Sequence, residues 1–415
     1  MENAAIVIKL AWRNVWRNRR RTILTLLTIV VGCAMIIFLN AIAKGGHDRM
    51  IEDAISINTG HIQIHEKGFW DNLTIDYAFR PSRDLIHELE SNPHVAAYSQ
   101  RIHAAALLSF GDTSTGAIIQ GVEPRREQNV TTLHSKILPG GRYLKKGDTK
   151  SMLLGVTLAQ NLGASTGKQI ALISQGFDGS IAADMFTVTG LIQSGNPEYD
   201  KMLAVIPFTQ ANRTFAMMDY IHAITVRLHS SDTTEQVVRS LQSRSAGGDT
   251  QLEVMGWDRL MPVLVQFIIM DDVSAYIFDF ILLMLVAFGI LNTIQMSVFE
   301  RTREFGIMLS IGTRPGQVTA IVLAESVFIS TLGILLGIAL GLLVSWYFAL
   351  NPMDYSSMAA ETAVWGVSIS TMPADATATN VAVTSLLTFT FAMLFSVFPA
   401  RRAAKLNPVD AVRQL

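Results

Sequence analysis

The sequence has few charged residues and almost no cysteine. Charged side chains make up 16% of the 415 residues and hydrophobic ones 50%, whereas about a quarter of the residues of a soluble domain are charged. This deficit predicts membrane-spanning segments. The net charge of −1 gives no indication of a nucleic-acid partner. The one cysteine, Cys33, excludes an internal disulfide bond and a cysteine-based metal site.

The sequence also lacks the motifs of common catalytic sites. Neither Gly-x-Ser-x-Gly nor His-Glu-x-x-His occurs. Segment 163–169 is similar to a phosphate-binding loop, but it is one residue short and has Gln169 where serine or threonine is required, so we interpret it as a turn before a strand. His61 and His65 could lie together, but no third metal ligand is recognisable, and a surface strand is favoured. We therefore predict no enzymatic activity, no cofactor and no metal site in this chain.

Four long apolar segments predict the fold class. Each is long enough to span about 30 Å of hydrocarbon, and one large polar region separates the first from the second. We predict a polytopic α-helical membrane protein with four transmembrane helices and a large α+β domain inserted between spans 1 and 2. The predicted segments are an amphipathic interfacial helix (1–21), transmembrane 1 (22–43), the α+β domain (44–272), transmembrane 2 (273–299), a short charged helix and turn (300–317), transmembrane 3 (318–350), a loop (351–380), transmembrane 4 (381–400) and a tail (401–415).

Residues 44–272 hold most of the charge and many short runs in which apolar and polar residues alternate. Alternation with a period of two predicts strands with one buried face. Such runs occur at 61–65, 168–173, 186–192 and 221–228. Helices are predicted at 83–90, 155–162 and 234–243. A region of this length can form a core of its own.

Lysine and arginine near the ends of the apolar segments predict the orientation. Segments 1–21 and 401–415 are rich in arginine, 297–317 contains three arginines, and 351–379 contains neither lysine nor arginine. Cytoplasmic loops carry the excess of these residues. Both termini and the short charged loop are therefore predicted to be cytoplasmic, with the large domain on the opposite side.

The segment between the second and third apolar segments combines charge with a helical pattern. Phe305, Met308 and Leu309 recur at the spacing of one helical face. Gly312 and Pro315-Gly316 are predicted to form the turn that ends this helix. A short helix at a membrane surface can press against another protein, and an ordinary tight loop between membrane helices is the alternative.

The third apolar segment contains two further candidate features. Gly333, Gly337 and Gly341 recur every four residues, which favours close packing of another helix; alternatively, glycine is simply frequent in membrane helices. Glu325 lies at membrane depth or at the inner interface. Ionisable groups in such positions usually face protein, water or a partner.

Several of these segments together carry a family resemblance. They are Trp12–Thr22, Val298–Arg314, Glu325 with the three glycines, and Phe398–Val412. This series resembles the permease subunits of the MacB/FtsX-like (type VII) ABC transporters. Weaker similarity in the large domain, at 119–124, 154–159, 167–168 and 186–190, is most like the lipoprotein-releasing (Lol-type) branch.

The resemblance implies a permease of the bacterial inner membrane that works by mechanotransmission, with its large domain in the periplasm. Two permease subunits, identical or homologous, would bind two separate cytoplasmic ATPase subunits, and those subunits would hold ATP and magnesium. The short cytoplasmic helix would be the coupling helix that fits a groove on the ATPase. The candidate coupling residues are Glu300, Arg301, Arg303, Glu304, Phe305, Gly306, Met308 and Gly312.

In the lipoprotein-releasing branch, acyl chains enter a cavity formed mainly by the first two spans of both permeases. Closure of the cavity then expels the lipoprotein toward a periplasmic carrier. The candidate cavity residues, which could instead face lipid or another helix, are Met35, Ile36, Leu39, Phe280 and Phe288. The segment that forms a carrier-gripping hook in that branch corresponds to 174–185, which is short here and predicts a modest hairpin.

The resulting prediction is a permease that extracts lipoproteins, or another lipidated or amphiphilic substrate, from the outer leaflet of the inner membrane. One alternative is MacB-like efflux of drugs or peptides. Another is FtsX-like activation of a cell-wall hydrolase, which is less favoured because FtsX-like outer domains are usually smaller than 44–272.

Overall fold

The computed structural model describes residues 10–245, 252–355 and 371–406. They form two compact units. The helical unit comprises the described parts of 1–48, 269–354 and 371–415, and the sheet unit those of 49–268 and 355–370.

The helices differ greatly in length between the two units. Residues 10–15 are helical and residues 16–18 form a turn, so the predicted helix over 1–21 is interrupted; residues 1–9 lie outside the described part. The other α-helices are α1 (Arg19–Ala54), α2 (Arg83–Ser91), α3 (Pro124–Val130), α4 (Val156–Leu162), α5 (Pro197–Met202), α6 (Phe208–Thr214), α7 (Thr234–Ser245), α8 (Trp257–Leu260), α9 (Pro262–Glu300), α10 (Thr302–Ser310), α11 (Pro315–Leu350) and α12 (Ala378–Ala404). Helices α1, α9, α11 and α12 are long and apolar enough to cross a membrane.

Helix α1 continues well beyond the predicted boundary at residue 43 because Gly45 and Gly46 do not end it. A Cβ atom on Gly45 would lie 2.0 Å from the carbonyl oxygen of Pro373, and one on Gly46 would lie 2.4 Å from Met372. These glycines therefore permit Met372 and Pro373 to pack closely against the helix. A π-helical segment, Ile55–Thr59, follows α1 directly.

Proline lies at the start of a long helix in two places and inside one in a third. Helix α9 begins at Pro262, eleven residues before the predicted span, and α11 begins at Pro315, which was predicted to end the preceding helix. Proline suits the first turn because the amide it lacks would have no helical partner there. Pro399 lies inside α12, where buried Ala400 and Ala403 pack the final turn against the core.

The sheet unit is built on one nine-stranded sheet, in the order β3-β7-β4-β6-β5-β2-β8-β1-β9. An additional pairing of β3 with β2 closes the first six strands into a ring. The strands are β1 (Ile62–Glu66), β2 (Val95–Phe110), β3 (Thr113–Val122), β4 (Ser151–Gly155), β5 (Gln169–Gln175), β6 (Ile181–Ile192), β7 (Leu203–Pro207), β8 (Ala223–Leu228) and β9 (Leu252–Gly256). A two-stranded sheet, β10 (Met353–Asp354) with β11 (Thr371–Met372), belongs to the helical unit.

The six-stranded ring encloses a core of alternating side chains, as the period of two predicts. Buried residues on different strands, including Ile119, Leu154 and Phe186, pack in a single cluster. The candidate phosphate loop is a turn as predicted, with Gly163 capping α4 and Gly167 at φ +88° before β5. Strands β5 and β6 are joined by residues 176–180 alone, so a short hairpin stands where the resemblance suggested a hook.

The predicted surface strand at 61–65 is wrong. His61, Gln63 and His65 are all at most 3% exposed. Strand β1 pairs with β8 and β9 at its two edges, and its residues are buried on both faces. The side-chain amide of Gln63 donates to the backbone carbonyl of Thr59, and the ring of His65 stacks on that of Trp70.

The end of α1 is anchored in the sheet unit by a buried ion pair. Arg101 of β2 pairs with Glu127 of α3 at 2.5 Å, and both side chains are at most 1% exposed. Arg101 also donates to the carbonyl of Asn58, at 2.6 Å, within the π-helical segment. Gln120 of β3 donates to the side chain of the same asparagine at 2.9 Å. The segment that follows α1 is thus held by two neighbouring strands.

Candidate functional site

Helix α10 is fixed to the helical unit by its apolar face. Phe305 is fully buried and Gly306 is buried beside it, and Phe305 packs in a cluster that includes Val15, Val298 and Val322. The candidate coupling residues Phe305 and Gly306 therefore hold this helix in place. Met308 is half-buried and packs against the same cluster.

Arg301 occupies the one-residue break between α9 and α10 and is 5% exposed. Its guanidinium donates to Glu304 at 3.0 Å and to Glu325 of α11 at 2.5 Å. Glu325 also accepts a hydrogen bond from the side-chain amide of Asn14, at 2.7 Å. Glu325 thus faces protein, and three separate stretches of the chain meet at this pair.

Two arginines complete this polar cluster, one just before α1 and one in its first turn. Arg17 pairs with Glu304 at 2.7 Å, and Arg21 pairs with Glu300. Desolvation raises the pKa of Glu304, but hydrogen bonds from Arg301 and Arg17 outweigh it and hold the value below its usual range. The sequence reading assigned Glu300, Arg301 and Glu304 to contacts with another protein and missed these internal partners. The sequence does contain one indication of these contacts. The arginine-rich segment 1–21 and the glutamates of 300–317 are predicted to lie on the same side of the membrane.

A different set of side chains on and after α10 is exposed. Arg303, Ile307 and Ile311 recur every four residues, and Ile311 is 79% exposed. Gly312 has φ +95° and forms the turn before α11. We call Arg303, Ile307 and Ile311 the exposed α10 face. An apolar pair beside a cation at helical spacing suits a contact with a protein groove.

The glycine stripe of α11 lies against α1. A Cβ atom on Gly333 would lie 2.7 Å from Ile29, one on Gly337 would lie 2.8 Å from Cys33, and one on Gly341 would lie 3.1 Å from Ile37. The distances at Gly333 and Gly337 leave no room for a side chain, and the distance at Gly341 is tight. The three glycines therefore permit close approach of the two helices.

The candidate cavity residues divide into two groups. Ile36 and Phe280 line a cavity of about 430 Å³ between α1, α9 and α12. Met35, Leu39 and Phe288 do not line it, and each is at least 38% exposed. Inside the cavity, Asn40 donates to the carboxylate of Asp279 at 2.8 Å. Neither Asn40 nor Asp279 was among the candidate residues, because no local pattern in the sequence connects them.

Comparison with known proteins identifies both parts of the chain. The MacB-like periplasmic core domain matches residues 22–244, more than half of the chain. The FtsX-like permease C-terminal domain matches residues 276–408. The chain belongs to the MacB/FtsX-like family of ABC transporter permeases.

Relatives of two kinds match this family member at similar identity. The lipoprotein-releasing system transmembrane protein LolC of Xylella fastidiosa is 25% identical over 94% of this chain and 92% of LolC. The macrolide export ATP-binding/permease protein MacB of a Shewanella species is 24% identical over 98% of this chain, which spans 60% of that protein's length. The crystal structure of the periplasmic region of MacB from Actinobacillus actinomycetemcomitans matches 51% of this chain and 95% of its own, with 17% identity and a TM-score of 0.37.

The family assignment gives the two units their general character. The FtsX-like match contains α10, Glu325 and the glycine stripe, and the MacB-like match contains most of α1 and the strands β1 to β8. The chain is a membrane permease with a domain of the extracellular, periplasmic type, and four helices of its described part are long and apolar enough to cross a membrane.

Proposed function

We propose that this ABC transporter permease works by mechanotransmission and extracts lipoproteins, or another lipidated or amphiphilic substrate, for transfer across the periplasm. It would lie in the bacterial inner membrane with both termini cytoplasmic and the sheet unit periplasmic. The alignment with LolC over nearly the whole of both chains supports this proposal.

The observation that carries the proposal is that two long helices continue through the boundary of the two units. The boundary lies at residues 48–49 in α1 and at residues 268–269 in α9. No loop interrupts either connection. Movement of these helices in the membrane would therefore be passed directly to the sheet unit.

The exposed α10 face would receive the driving force. Two separate ATPase subunits would bind ATP and magnesium, and each would contact this face on one of two permease subunits. Helix α10 is fixed through Arg301 to α11 and through Glu304 to Arg17. Displacement of α10 by the ATPase would therefore also displace the membrane helices.

Reconstitution tests the proposed substrate. The permease is placed in proteoliposomes with its ATPase and an acylated protein, and protein released into solution is measured with and without ATP. ATP-dependent release into a solution that contains a periplasmic carrier is expected. No release by a preparation that hydrolyses ATP would contradict lipoprotein extraction.

Export of a small amphiphile is the second candidate, because relatives named for macrolide export are 24% and 26% identical to this chain. Deletion of the gene separates the two candidates. Extraction predicts that lipoproteins remain in the inner membrane, whereas export predicts drug sensitivity with normal lipoprotein localisation.

A further inference from the structure

A segment without helix or strand covers three histidines of the sheet unit. Residues 67–78 form only turns and irregular structure. They run from Glu66, the last residue of β1, to Phe79, which forms an isolated bridge with Ile221. We call residues 67–78 the strap. The strap is fastened at both ends, and its Phe69 is only 1% exposed.

The ring of Phe69 lies among imidazoles from three parts of the sheet. His65 belongs to β1, His103 to β2, and His222 directly precedes β8. The ring centroids of His65 and His103 are each 5.8 Å from that of Phe69, and the centroid of His222 is 5.4 Å from it. His65 and His222 are fully buried. The strap therefore forms one wall of a small volume that holds three titratable groups.

The hydrogen bonds of these rings require the neutral form of histidine. In His222, Nδ1 accepts from the backbone amide of His103 and Nε2 donates to the carbonyl of Ile75 in the strap, both at 3.1 Å. A protonated ring has no acceptor for the first bond. In His65, Nδ1 donates to the carbonyl of Glu66, and Nε2 is buried with no hydrogen-bond partner in the described part of the chain. A second proton there would be a buried, unsatisfied charge.

The charged groups around the cluster do not reverse this preference. Glu253 of β9 and Asp71 of the strap favour protonation of His65, but burial has the larger effect and lowers the pKa of this ring. Burial also holds the pKa of His103 well below its usual range, and Arg101 and the other two histidines lower it further. The closed cluster thus excludes protons.

The strap can open without breaking the sheet. The backbone amides of Phe69, Asn72 and Ala78 all bond to carbonyls at most four residues away. Segments held by local hydrogen bonds open at a lower free energy than the strands of a core. Opening would let water reach the three rings while β1, β2 and β8 stay paired.

We propose that the strap is an acid-opened switch, closed over neutral histidines near neutral pH and opened when the solution around the sheet unit becomes acidic. Opening exposes Phe69 and the three imidazoles. This inference goes beyond the proposed function, because it holds for any transported substrate.

The direction and size of the effect follow from His222. Burial lowers its pKa to about 4 in the closed state, against about 6.5 for a hydrated ring. Below pH 6.5 the open state takes up a proton that the closed state excludes, so opening becomes more favourable as the pH falls. Between pH 7 and pH 5 this ring alone favours opening by about 20-fold.

Hydrogen exchange of the full chain in nanodiscs tests the switch. Protection of the strap amides and of the β6 amides is measured by mass spectrometry at pH 7 and pH 5, corrected for intrinsic rates. Strap protection should fall at least about 20-fold at pH 5. The β6 amides should stay at least about 100-fold better protected than the strap at both pH values, because they exchange only when the sheet opens.

Two variants and a control assign the effect to the cluster. His222→Asn keeps an acceptor for the amide of His103 but cannot take up a proton, and His65→Phe replaces an imidazole with an apolar ring. Each should restore strap protection at pH 5 by at least about ten-fold. His229→Asn, which removes an exposed imidazole outside the cluster, should behave like the wild type.

Three results would overturn the inference. The first is equal strap protection at pH 7 and pH 5 in the wild type. The second is equal protection of the strap and β6 at pH 5, which would mean that the strap opens only when the whole unit unfolds. The third is a wild-type response to pH in both cluster variants.

Discussion

At the residue scale, Arg301 connects α10 with α11, and no pattern in the sequence predicts these contacts. It is 5% exposed, binds two glutamates and lies 4.8 Å above the ring of Phe305. Removal of one partner from a buried ion pair leaves an uncompensated charge, which costs far more than loss of an exposed pair.

Arg301→Met should therefore lower the free energy of unfolding by about 3–5 kcal/mol. Arg303→Met, two residues away on the exposed α10 face, should change it by less than about 0.5 kcal/mol. Denaturant titration of both variants in detergent provides the measurement. Similar free energies of unfolding for the two variants would mean that burial of Glu325 does not require the charge of Arg301.

The buried histidines of the sheet unit make its stability depend on pH. His65, His103 and His222 surround the ring of Phe69, with ring centroids 5.4–5.8 Å from it. Burial lowers the pKa of His222 to about 4, against about 6.5 in an unfolded chain. Below pH 6.5 the unfolded chain therefore takes up a proton that the folded chain excludes.

Stability should consequently be constant well above pH 6.5 and fall as the pH decreases toward 4, with about 2 kcal/mol lost at pH 5 through His222. Hydrogen exchange of the β2 and β8 amides at pH 7 and pH 5, corrected for intrinsic rates, measures this loss. His222→Asn should reduce the pH dependence, whereas His87→Asn, on the exposed side of α2, should retain it. An identical pH dependence in both variants would exclude His222 as a contributor.

At the element scale, the glycine stripe determines how α11 packs on α1. Gly337→Leu places a branched side chain where Cβ alone would lie 2.8 Å from Cys33, and overpacking of this kind costs about 1–3 kcal/mol or more. Ala339→Leu adds the same bulk on the exposed side of α11. The yield of folded monodisperse protein should fall for the first variant only; equal yields would show that α1 can move aside.

Helix α10 leads to a prediction about the ATPase. Ile311→Asp should weaken ATPase association at least ten-fold, because it places a charge in the exposed α10 face without affecting the buried face. Ile311→Leu keeps the surface apolar and should bind like the wild type. Co-purification at graded salt concentrations measures the difference, and normal association of the aspartate variant would require a contact surface elsewhere.

Secondary structure was largely predictable from local patterns, whereas the connections of the polar residues were not. Alternation located β1, β5, β6 and β8. Only β5 and β6 are buried on alternate residues, whereas β1 and β8 are buried on both faces. Helix ends were less predictable. Gly45, Pro315 and Pro399 are helix breakers in isolation, and packing or position overrides that tendency here.

The candidate site was only partly predictable for a related reason. The apolar face of α10 follows from its own spacing, but Glu304 binds Arg17 across 287 residues and Glu325 binds Asn14 across 311. A single sequence carries no local signal for such pairs. The cavity at Asp279 likewise depends on three helices that meet only in the folded chain.

At the scale of the whole molecule, α1 is continuous through residues 48–49. We therefore expect transport to require that this helix be stiff at that point. Insertion of a six-residue Gly/Ser linker between Asp48 and Arg49 should abolish ATP-dependent release while ATP hydrolysis persists. The same linker between Asp178 and Gly179, in the β5–β6 turn, should leave release unaffected. Release assays on proteoliposomes measure both, and transport by the first variant would argue against force transmission through this helix.

The closed ring of the sheet unit limits how other proteins can bind it. Each of its six strands has a neighbour on both sides, so a partner cannot extend the ring by adding a strand of its own. Within the nine-stranded sheet, as far as the structure describes the chain, β9 alone has a free edge, at Leu252–Gly256. Strand addition by a carrier or cargo is therefore confined to β9, and recognition elsewhere on the sheet unit depends on loop and helix side chains.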